Sequence, residues 1–132
     1  MKAKLRHVAI AVRSLAEAAP AFEQILGEGS AEETIEDQKV RVRFFEAGKS
    51  RIELLEATAA DSPITKFLEK WGPGLHHVAF SVPNLEKALQ DLKQKGYELI
   101  DTEPRQGADG GRIAFLHPQS FSGVLIELME KS

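Results

Sequence analysis

Two histidines and two glutamates occupy matching positions of an internal repeat in this sequence. His7 lies in residues 5–12 and His77 lies in residues 75–82, and these two octamers share Leu, His, Val, Ala and Val at an offset of 70 residues. Glu53 and Glu127 occupy matching positions in Arg-Ile-Glu-Leu and Leu-Ile-Glu-Leu, at an offset of 74. Each half of the chain therefore supplies one imidazole and one carboxylate, which are typical metal ligands.

Two neutral imidazoles and two carboxylates suit a divalent first-row metal, whereas calcium prefers oxygen ligands alone. The four side chains converge if the two halves pair about a pseudo-twofold axis. A single histidine at the start of a strand is usually structural or exposed, and a single glutamate in a strand usually faces solvent. Four candidates at repeat-equivalent positions favour a metal site instead, with His7, Glu53, His77 and Glu127 as ligands. His76, next to His77, receives no role.

The hydrophobic pattern predicts the order β-α-β-β-β in each half. Ser14, with Glu17 three residues later, forms a capping box for the first helix, and Asn84 caps its counterpart. A short bridging helix begins at Ser62-Pro63. The predicted strands are 5–12, 30–36, 39–46 and 50–56 in the first half and 75–82, 97–103, 111–117 and 123–129 in the second. We expect one α+β domain over 1–132, with modules at about 4–56 and 74–130 and a bridge at about 57–73.

Strand alternation places His7, Ala9 and Ala11 on one face of the first strand. The two alanines are small, so we expect this face to leave room for a ligand. Glu127 lies between Ile126 and Leu128 and interrupts an apolar strand. A buried carboxylate is costly without a partner, so Glu127 is expected to have one.

Composition excludes several classes of protein and site. The chain has 132 residues, 42% of them hydrophobic and 28% charged, with a net charge of -3 and no cysteine. This excludes disulfide scaffolds, thiolate metal sites and cysteine nucleophiles, and gives no support for a nucleic-acid partner. No apolar run approaches the roughly 18 residues of a membrane span, and the N-terminus does not look like a signal peptide. We therefore expect a cytoplasmic protein.

The motifs along the chain resemble those of the vicinal-oxygen-chelate (glyoxalase-like) superfamily, and within it the methylmalonyl-CoA epimerase family. The fold implied is two βαβββ modules that form a curved mixed sheet around a metal. The resemblance implies metal ligation by His7, His77 and Glu127, with Glu or Gln at position 53. The motifs that carry it are His-Val-Ala-Ile at 7–10, Asp-Ser-Pro-Ile at 61–64 with Phe-Leu at 67–68, Gly-Leu-His-His-Val-Ala at 74–79, Gly-Gly-Arg-Ile-Ala-Phe-Leu-His-Pro at 110–118 and Gly-Val-Leu-Ile-Glu-Leu at 123–128.

The implied reaction is metal-dependent interconversion of (R)- and (S)-methylmalonyl-CoA through a stabilised enolate, with an acyl-CoA as substrate. Inversion at C2 needs an acid or base on each face. Some members carry a second catalytic Glu on the preceding strand, but our alignment places that position near Val42 or Arg43, which cannot act as a carboxylate base. Glu127 is the first candidate and Glu53, its repeat equivalent, the second. Glu36, Asp37 or a water molecule are the fallback candidates.

The resemblance points to cobalt or manganese, with nickel, zinc or iron also compatible, and to a homodimer. Three other interpretations stay open: a glyoxalase I-type isomerase, a metal-free small-molecule-binding protein of the same fold, and a structural protein without a site. No phosphate-binding loop of the P-loop or dinucleotide type is present. Gln106 to Gly111 is predicted to be a flexible turn over the site.

Overall fold

The computed structural model describes residues 1–107 and 111–130 of the chain. Two compact units are present: residues 7–76 form one, and the chain from residue 77 onward forms the other together with residues 1–6. Among the described residues, no helix is both long enough and apolar enough to cross a membrane. The elements are β1 (Lys4–Ala11), α1 (Leu15–Leu26), β2 (Glu33–Ile35), β3 (Val40–Ala47), β4 (Ser50–Ala57), α2 (Pro63–Trp71), β5 (Gly74–Val82), α3 (Leu85–Gln94), β6 (Arg105–Gln106), β7 (Arg112–Leu116) and β8 (Ile126–Glu130).

Each half has the same strand order and pairing. The order is β2-β3-β4-β1 in the first half and β6-β7-β8-β5 in the second. In both halves the first strand pairs parallel with the last strand, and the other pairs are antiparallel. Ala9 is opposite Glu53 and Ala79 is opposite Glu127, so the registers of the two parallel pairs also match.

The helix termini follow the sequence signals. The Ser14 hydroxyl accepts a hydrogen bond from the Glu17 backbone N–H at 3.2 Å, and the Asn84 side chain accepts from Lys87 N–H at 3.1 Å. Ser62 caps α2, where Pro63 occupies the first turn. Side-chain oxygens at these positions satisfy N–H groups that have no partner inside the helix. The predicted starts of all three helices are therefore confirmed.

The sheet of the first half is covered by a helix on each face. On one face α1 packs on a cluster that includes Val12, Phe45 and Leu54. On the other face Ala9 and Ala11, both fully buried, pack with Ile64 of α2. The expectation that these small residues leave room for a ligand is wrong, because their size instead allows α2 to approach the strand.

In the second half the main hydrophobic cluster lies between α3 and its sheet. Val82, Leu85, Leu89, Leu116 and Leu128 belong to it, all at most 4% exposed. The strand residues of this cluster, Val82, Leu116 and Leu128, lie on the opposite face of the sheet from His77 and Glu127. The buried residues of α3, which are Leu85, Ala88 and Leu89, therefore lie on the side of the helix that faces the sheet.

The predicted strand 97–103 is wrong. Within it only Leu99 makes an isolated bridge, to Leu116. The backbone N–H groups of Ile100 and Asp101 both donate to the Phe115 carbonyl, at 3.0 and 3.1 Å, and the Asp101 carboxylate accepts from Phe115 N–H at 2.8 Å. Because a side chain takes the place of a backbone acceptor, the segment follows β7 without forming a regular ladder.

Two loop regions also differ from the prediction. The last strand begins at Ile126 instead of residue 123, after a 3-10 helix at Pro118–Phe121. In the predicted turn at 106–111, Gly107 N–H donates to the Gly111 carbonyl at 2.6 Å, and a Cβ on Gly107 would lie 2.9 Å from Ile113 Cγ2. A side chain at this position would therefore force Ile113 to move. Residues 108–110, which hold the rest of the predicted flexible turn, lie outside the described residues.

Candidate metal centre

The first half holds a histidine–glutamate pair on its parallel strands. His7 on β1 is opposite Arg51, so Glu53 two residues further along β4 is its diagonal neighbour on the same face. The His7 Nδ1 atom lies 3.2 Å from Glu53 Oε2. The Glu53 side chain is 21% exposed and that of His7 is buried, so the carboxylate of this pair borders solvent.

The second half repeats this pair with a different histidine atom. His77 Nε2 lies 3.1 Å from Glu127 Oε1, and both side chains are 9% exposed. Ala79 opposes Glu127 as Ala9 opposes Glu53, so the shared register places each glutamate beside its histidine. The expectation that the buried Glu127 carboxylate has a partner is confirmed.

Three of the four candidate ligands form a group that could hold a metal ion. One ligand atom from each of His7, His77 and Glu127 lies within 4.8 Å of the others, and all three residues are buried. Two ligand atoms that bind one ion at right angles, each about 2.1 Å from it, are about 3 Å apart. The 3.1 Å between His77 and Glu127 matches that spacing. Among the described residues this group does not include Glu53.

The donor set of this group also fits a divalent first-row metal. Imidazole nitrogen and carboxylate oxygen together favour such ions over calcium or magnesium. Burial shields the site from water, which strengthens electrostatic interactions with a cation. A three-residue protein set leaves coordination positions open, as catalytic metal sites require.

An aromatic residue accompanies each glutamate, which the sequence analysis missed. Phe44 on β3 is opposite Glu53, and Phe115 on β7 is opposite Glu127. The Phe115 ring contacts the His77 ring edge to face, with centroids 5.8 Å apart and an interplanar angle of 89°. The signal was available, because Arg41 to Phe44 matches Arg112 to Phe115 at an offset of 71 residues, with Arg and Phe identical.

A second repeated feature attaches each main helix to the strand that carries the glutamate. In the first half Glu56 receives a hydrogen bond from Arg41 Nη1 at 2.6 Å and from the Leu15 backbone N–H at 2.7 Å. In the second half Arg112 donates two hydrogen bonds to Glu130, at 2.8 and 2.9 Å, and a third to Glu86 of α3 at 2.8 Å. Hydrogen bonding from Arg112 lowers the pKa of the Glu130 carboxyl below its ordinary value. These pairs fix the ends of the strands that carry Glu53 and Glu127.

The remaining sequence candidates lie in more ordinary surroundings. Glu36 and Asp37 are exposed in the 3-10 helix Glu36–Gln38. His76 packs its ring edge to face on Phe67 at 5.1 Å, a packing contact of the α2 region.

The fold has counterparts among known proteins. Residues 6–115 match the family model of the Glyoxalase/Bleomycin resistance protein/Dioxygenase superfamily. The chain belongs to this superfamily. The predicted glyoxalase-like α+β fold, with two βαβββ modules, is therefore confirmed.

Several relatives within the superfamily are similar to the chain over nearly its whole length. The chain is 40% identical over 132 residues to the ethylmalonyl-CoA/methylmalonyl-CoA epimerase of Cereibacter sphaeroides, covering 97% of this chain and 98% of that protein. It is 48% identical to the protein YqjC of Bacillus subtilis, covering 96% and 91% of the two chains. A solved structure of a methylmalonyl-CoA epimerase with methylmalonyl-CoA and NH4+ matches with a TM-score of 0.89 and 34% identity, covering 100% and 96%. The resemblance to the methylmalonyl-CoA epimerase family is confirmed.

Proposed function

We propose that this chain is a metal-dependent methylmalonyl-CoA epimerase. One observation carries the metal dependence: ligand atoms of the buried residues His7, His77 and Glu127 lie within 4.8 Å of one another. Support for the substrate comes from relatives that cover nearly the whole chain and are named as epimerases of methylmalonyl-CoA.

We assign His7, His77 and Glu127 as metal ligands, with Glu53 as the fourth. In the internal repeat His7 is equivalent to His77 and Glu53 is equivalent to Glu127. Glu53 also contacts the His7 imidazole. When bound, a divalent ion supplies Lewis-acid stabilisation of the negative charge that develops on the thioester oxygen as the C2 proton leaves. Cobalt or manganese is the proposed ion, with nickel, zinc or iron as alternatives.

We assign proton transfer to Glu127 and Glu53. Inversion requires one group to remove the C2 proton and another to deliver a proton to the opposite face. The two glutamates are repeat-equivalent carboxylates, and each lies within 3.2 Å of a histidine nitrogen that holds it in place. Glu36 and Asp37 stay as alternatives to Glu53 for the second acid/base group. Their carboxylates are exposed and can therefore exchange protons with solvent.

The direct test follows one stereoisomer of methylmalonyl-CoA in deuterated solvent, with and without a chelator. We expect inversion at C2 with incorporation of deuterium, loss of both on chelation, and recovery when cobalt or manganese is added back. Absence of inversion in the metal-loaded protein would contradict the proposal. A glutathione hemithioacetal serves as the control substrate, and its turnover in place of methylmalonyl-CoA would favour a glyoxalase I-type isomerase.

We further propose that the two modules work as one domain and that the protein is a cytoplasmic homodimer. The dimer rests on the family resemblance, whereas the single domain and the cytoplasmic location rest on the sequence. Light scattering coupled to gel filtration measures the mass of the protein in solution. A dimer has twice the 14.6 kDa mass of one chain. Elution at the mass of a single chain at micromolar concentration would contradict it.

A further inference from the structure

Arg105 is held on the sheet face that carries His77 and Glu127. It is opposite Ile113 on β7, and Phe115, two residues further on, shares that face. The Arg105 guanidinium lies over the Phe115 ring, 5.1 Å from its centroid. Since the same ring contacts His77, a single aromatic side chain separates this cation from a candidate metal ligand.

Asp101 restrains the other side of this guanidinium. Its Oδ2 atom lies 3.3 Å from Arg105 Nε and also accepts the Phe115 backbone N–H at 2.8 Å. The Asp101 side chain is only 18% exposed, and its own backbone N–H donates to the Phe115 carbonyl. The carboxylate that orients Arg105 is thus itself fixed to β7.

Arg105 nevertheless remains accessible, with 55% of its side chain exposed. A guanidinium carries five N–H donors, and one carboxylate oxygen cannot occupy all of them. Stacking on an aromatic ring and pairing through Nε restrict the side chain before a ligand arrives, which lowers the entropic cost of binding. The remaining donors match the fork geometry that binds carboxylate or phosphate oxygens.

We propose that Arg105 binds an anionic group of the acyl-CoA substrate, either its free carboxylate or a phosphate of the CoA arm. This inference rests on the proposed function, because it takes the acyl-CoA as the ligand. Arg105 then determines affinity and specificity and takes no part in proton transfer. Asp101 acts as the positioning residue that aims the guanidinium.

Arg51 provides a matched control in the first half. Its guanidinium lies over the Phe44 ring at 4.1 Å, and its Nε is 3.2 Å from Glu46 Oε1. Glu46, however, is 64% exposed, so the carboxylate that orients Arg51 is not fixed in the way that Asp101 is. Arg51 therefore has the same stacking and pairing without a rigid partner.

The test measures kcat and KM for C2 proton exchange in the metal-loaded wild type, Arg105→Gln, Arg105→Lys and Arg51→Gln. In Arg105→Gln we expect the KM for methylmalonyl-CoA to rise about tenfold or more, since a charge-assisted pair is lost, with kcat within about twofold. Arg105→Lys keeps the charge and recovers part of the affinity. Arg51→Gln stays within about twofold of wild type.

Methylmalonyl-pantetheine, which lacks the nucleotide phosphates, distinguishes the two anions. If Arg105 binds a phosphate, wild type and Arg105→Gln have the same KM for this shorter thioester. If Arg105 binds the carboxylate, the KM rises for both substrates. Either result supports the proposal.

Two results would overturn it: an unchanged KM in Arg105→Gln, or an equal rise in Arg105→Gln and Arg51→Gln, which would indicate a general charge effect. Thermal unfolding of each variant confirms that the comparison is made on folded protein. If the wild type itself exchanges no C2 proton, the proposed function fails. If the wild type is active and Arg105→Gln matches it, only this inference fails.

Discussion

The two histidine–glutamate pairs have the same strand register and different surroundings. Glu53 and Glu127 each lie opposite an alanine of the first strand of their half, diagonally from the histidine. Glu127 is buried and belongs to the group of possible metal ligands, whereas Glu53 is partly exposed and contacts Nδ1 of His7 instead of Nε2. The residues shared by the two halves determine where each pair lies, whereas the residues that differ determine how far each carboxylate is exposed to solvent.

This difference separates the roles of the two carboxylates. A buried carboxylate beside an imidazole gains most from a cation, because desolvation of its charge must be offset. A carboxylate that borders solvent exchanges protons more readily and is better suited to deliver one. We therefore expect Glu127 to matter for both metal binding and chemistry, and Glu53 mainly for chemistry.

The largest expected effect is that of Glu127→Gln. Loss of this carboxylate removes a metal ligand and an acid/base group. We therefore expect the rate of epimerisation to fall by about 10³-fold or more and tight metal binding to be lost. Metal content after gel filtration and the rate of C2 exchange measure the two losses. Glu130→Gln, on the same strand and outside the pair, is the control. Full metal content with near wild-type exchange would contradict the assignment of Glu127.

Glu53→Gln is expected to have a smaller effect, about 10²-fold on epimerisation, while the bound metal is retained. Glutamine keeps an oxygen at this position but cannot transfer a proton. One stereoisomer should still exchange its C2 proton with deuterated solvent without inverting, because only one face has lost its base. Wild-type rates of both exchange and inversion would show that Glu53 is not the second base, and Glu36→Gln and Asp37→Asn would then be tested in turn.

A third comparison concerns the two sheet faces at the repeat-equivalent positions 11 and 81. Ala11 packs fully buried beneath α2, whereas Ser81 already places a hydroxyl at the matching position of the second half. Ala11→Ser should lower the free energy of unfolding by about 1–3 kcal/mol, because a hydroxyl enters an apolar cluster. Ser81→Ala should change it by less, because alanine is smaller than serine and brings no new polar group into the interior. Urea unfolding measures both, and equal effects would show that α2 does not distinguish the two faces.

The smallest expected effect is a pH dependence of stability. Arg112 lowers the pKa of Glu130 below its ordinary value of 4.5 in the folded protein, and Lys39 lowers the pKa of Asp61. Their contributions are therefore present above the unfolded-state pKa and are lost as the pH falls through the lower folded-state pKa. Wild type should melt at a higher temperature than Glu130→Gln at pH 7, and this difference in melting temperature should shrink as the pH falls below 4.5, the ordinary pKa of Glu130. A difference that widens in acid would contradict this.

The sequence repeat was sufficient to select the residues of the two histidine–glutamate pairs but not to predict their surroundings. His7, Glu53, His77 and Glu127 were found because identical residues recur in equivalent strands, and strand pairing then fixes which side chains are neighbours. The mistaken strand at 97–103 had no such guide, because the Asp101 carboxylate takes the Phe115 N–H that a backbone acceptor would otherwise take. The packing of Ala9 under α2 was also missed. The local sequence predicts that α2 is a helix but does not predict which strand it packs on.

Cobalt(II) titration of the metal-free protein, followed by the visible absorption of the bound ion, tests most directly whether the two halves share a single metal. A shared ion predicts one cobalt per chain in wild type and none bound tightly in either His7→Asn or His77→Asn. Two cobalt ions per chain, one of them lost in each histidine variant, would mean that each half binds its own ion and would contradict the shared centre.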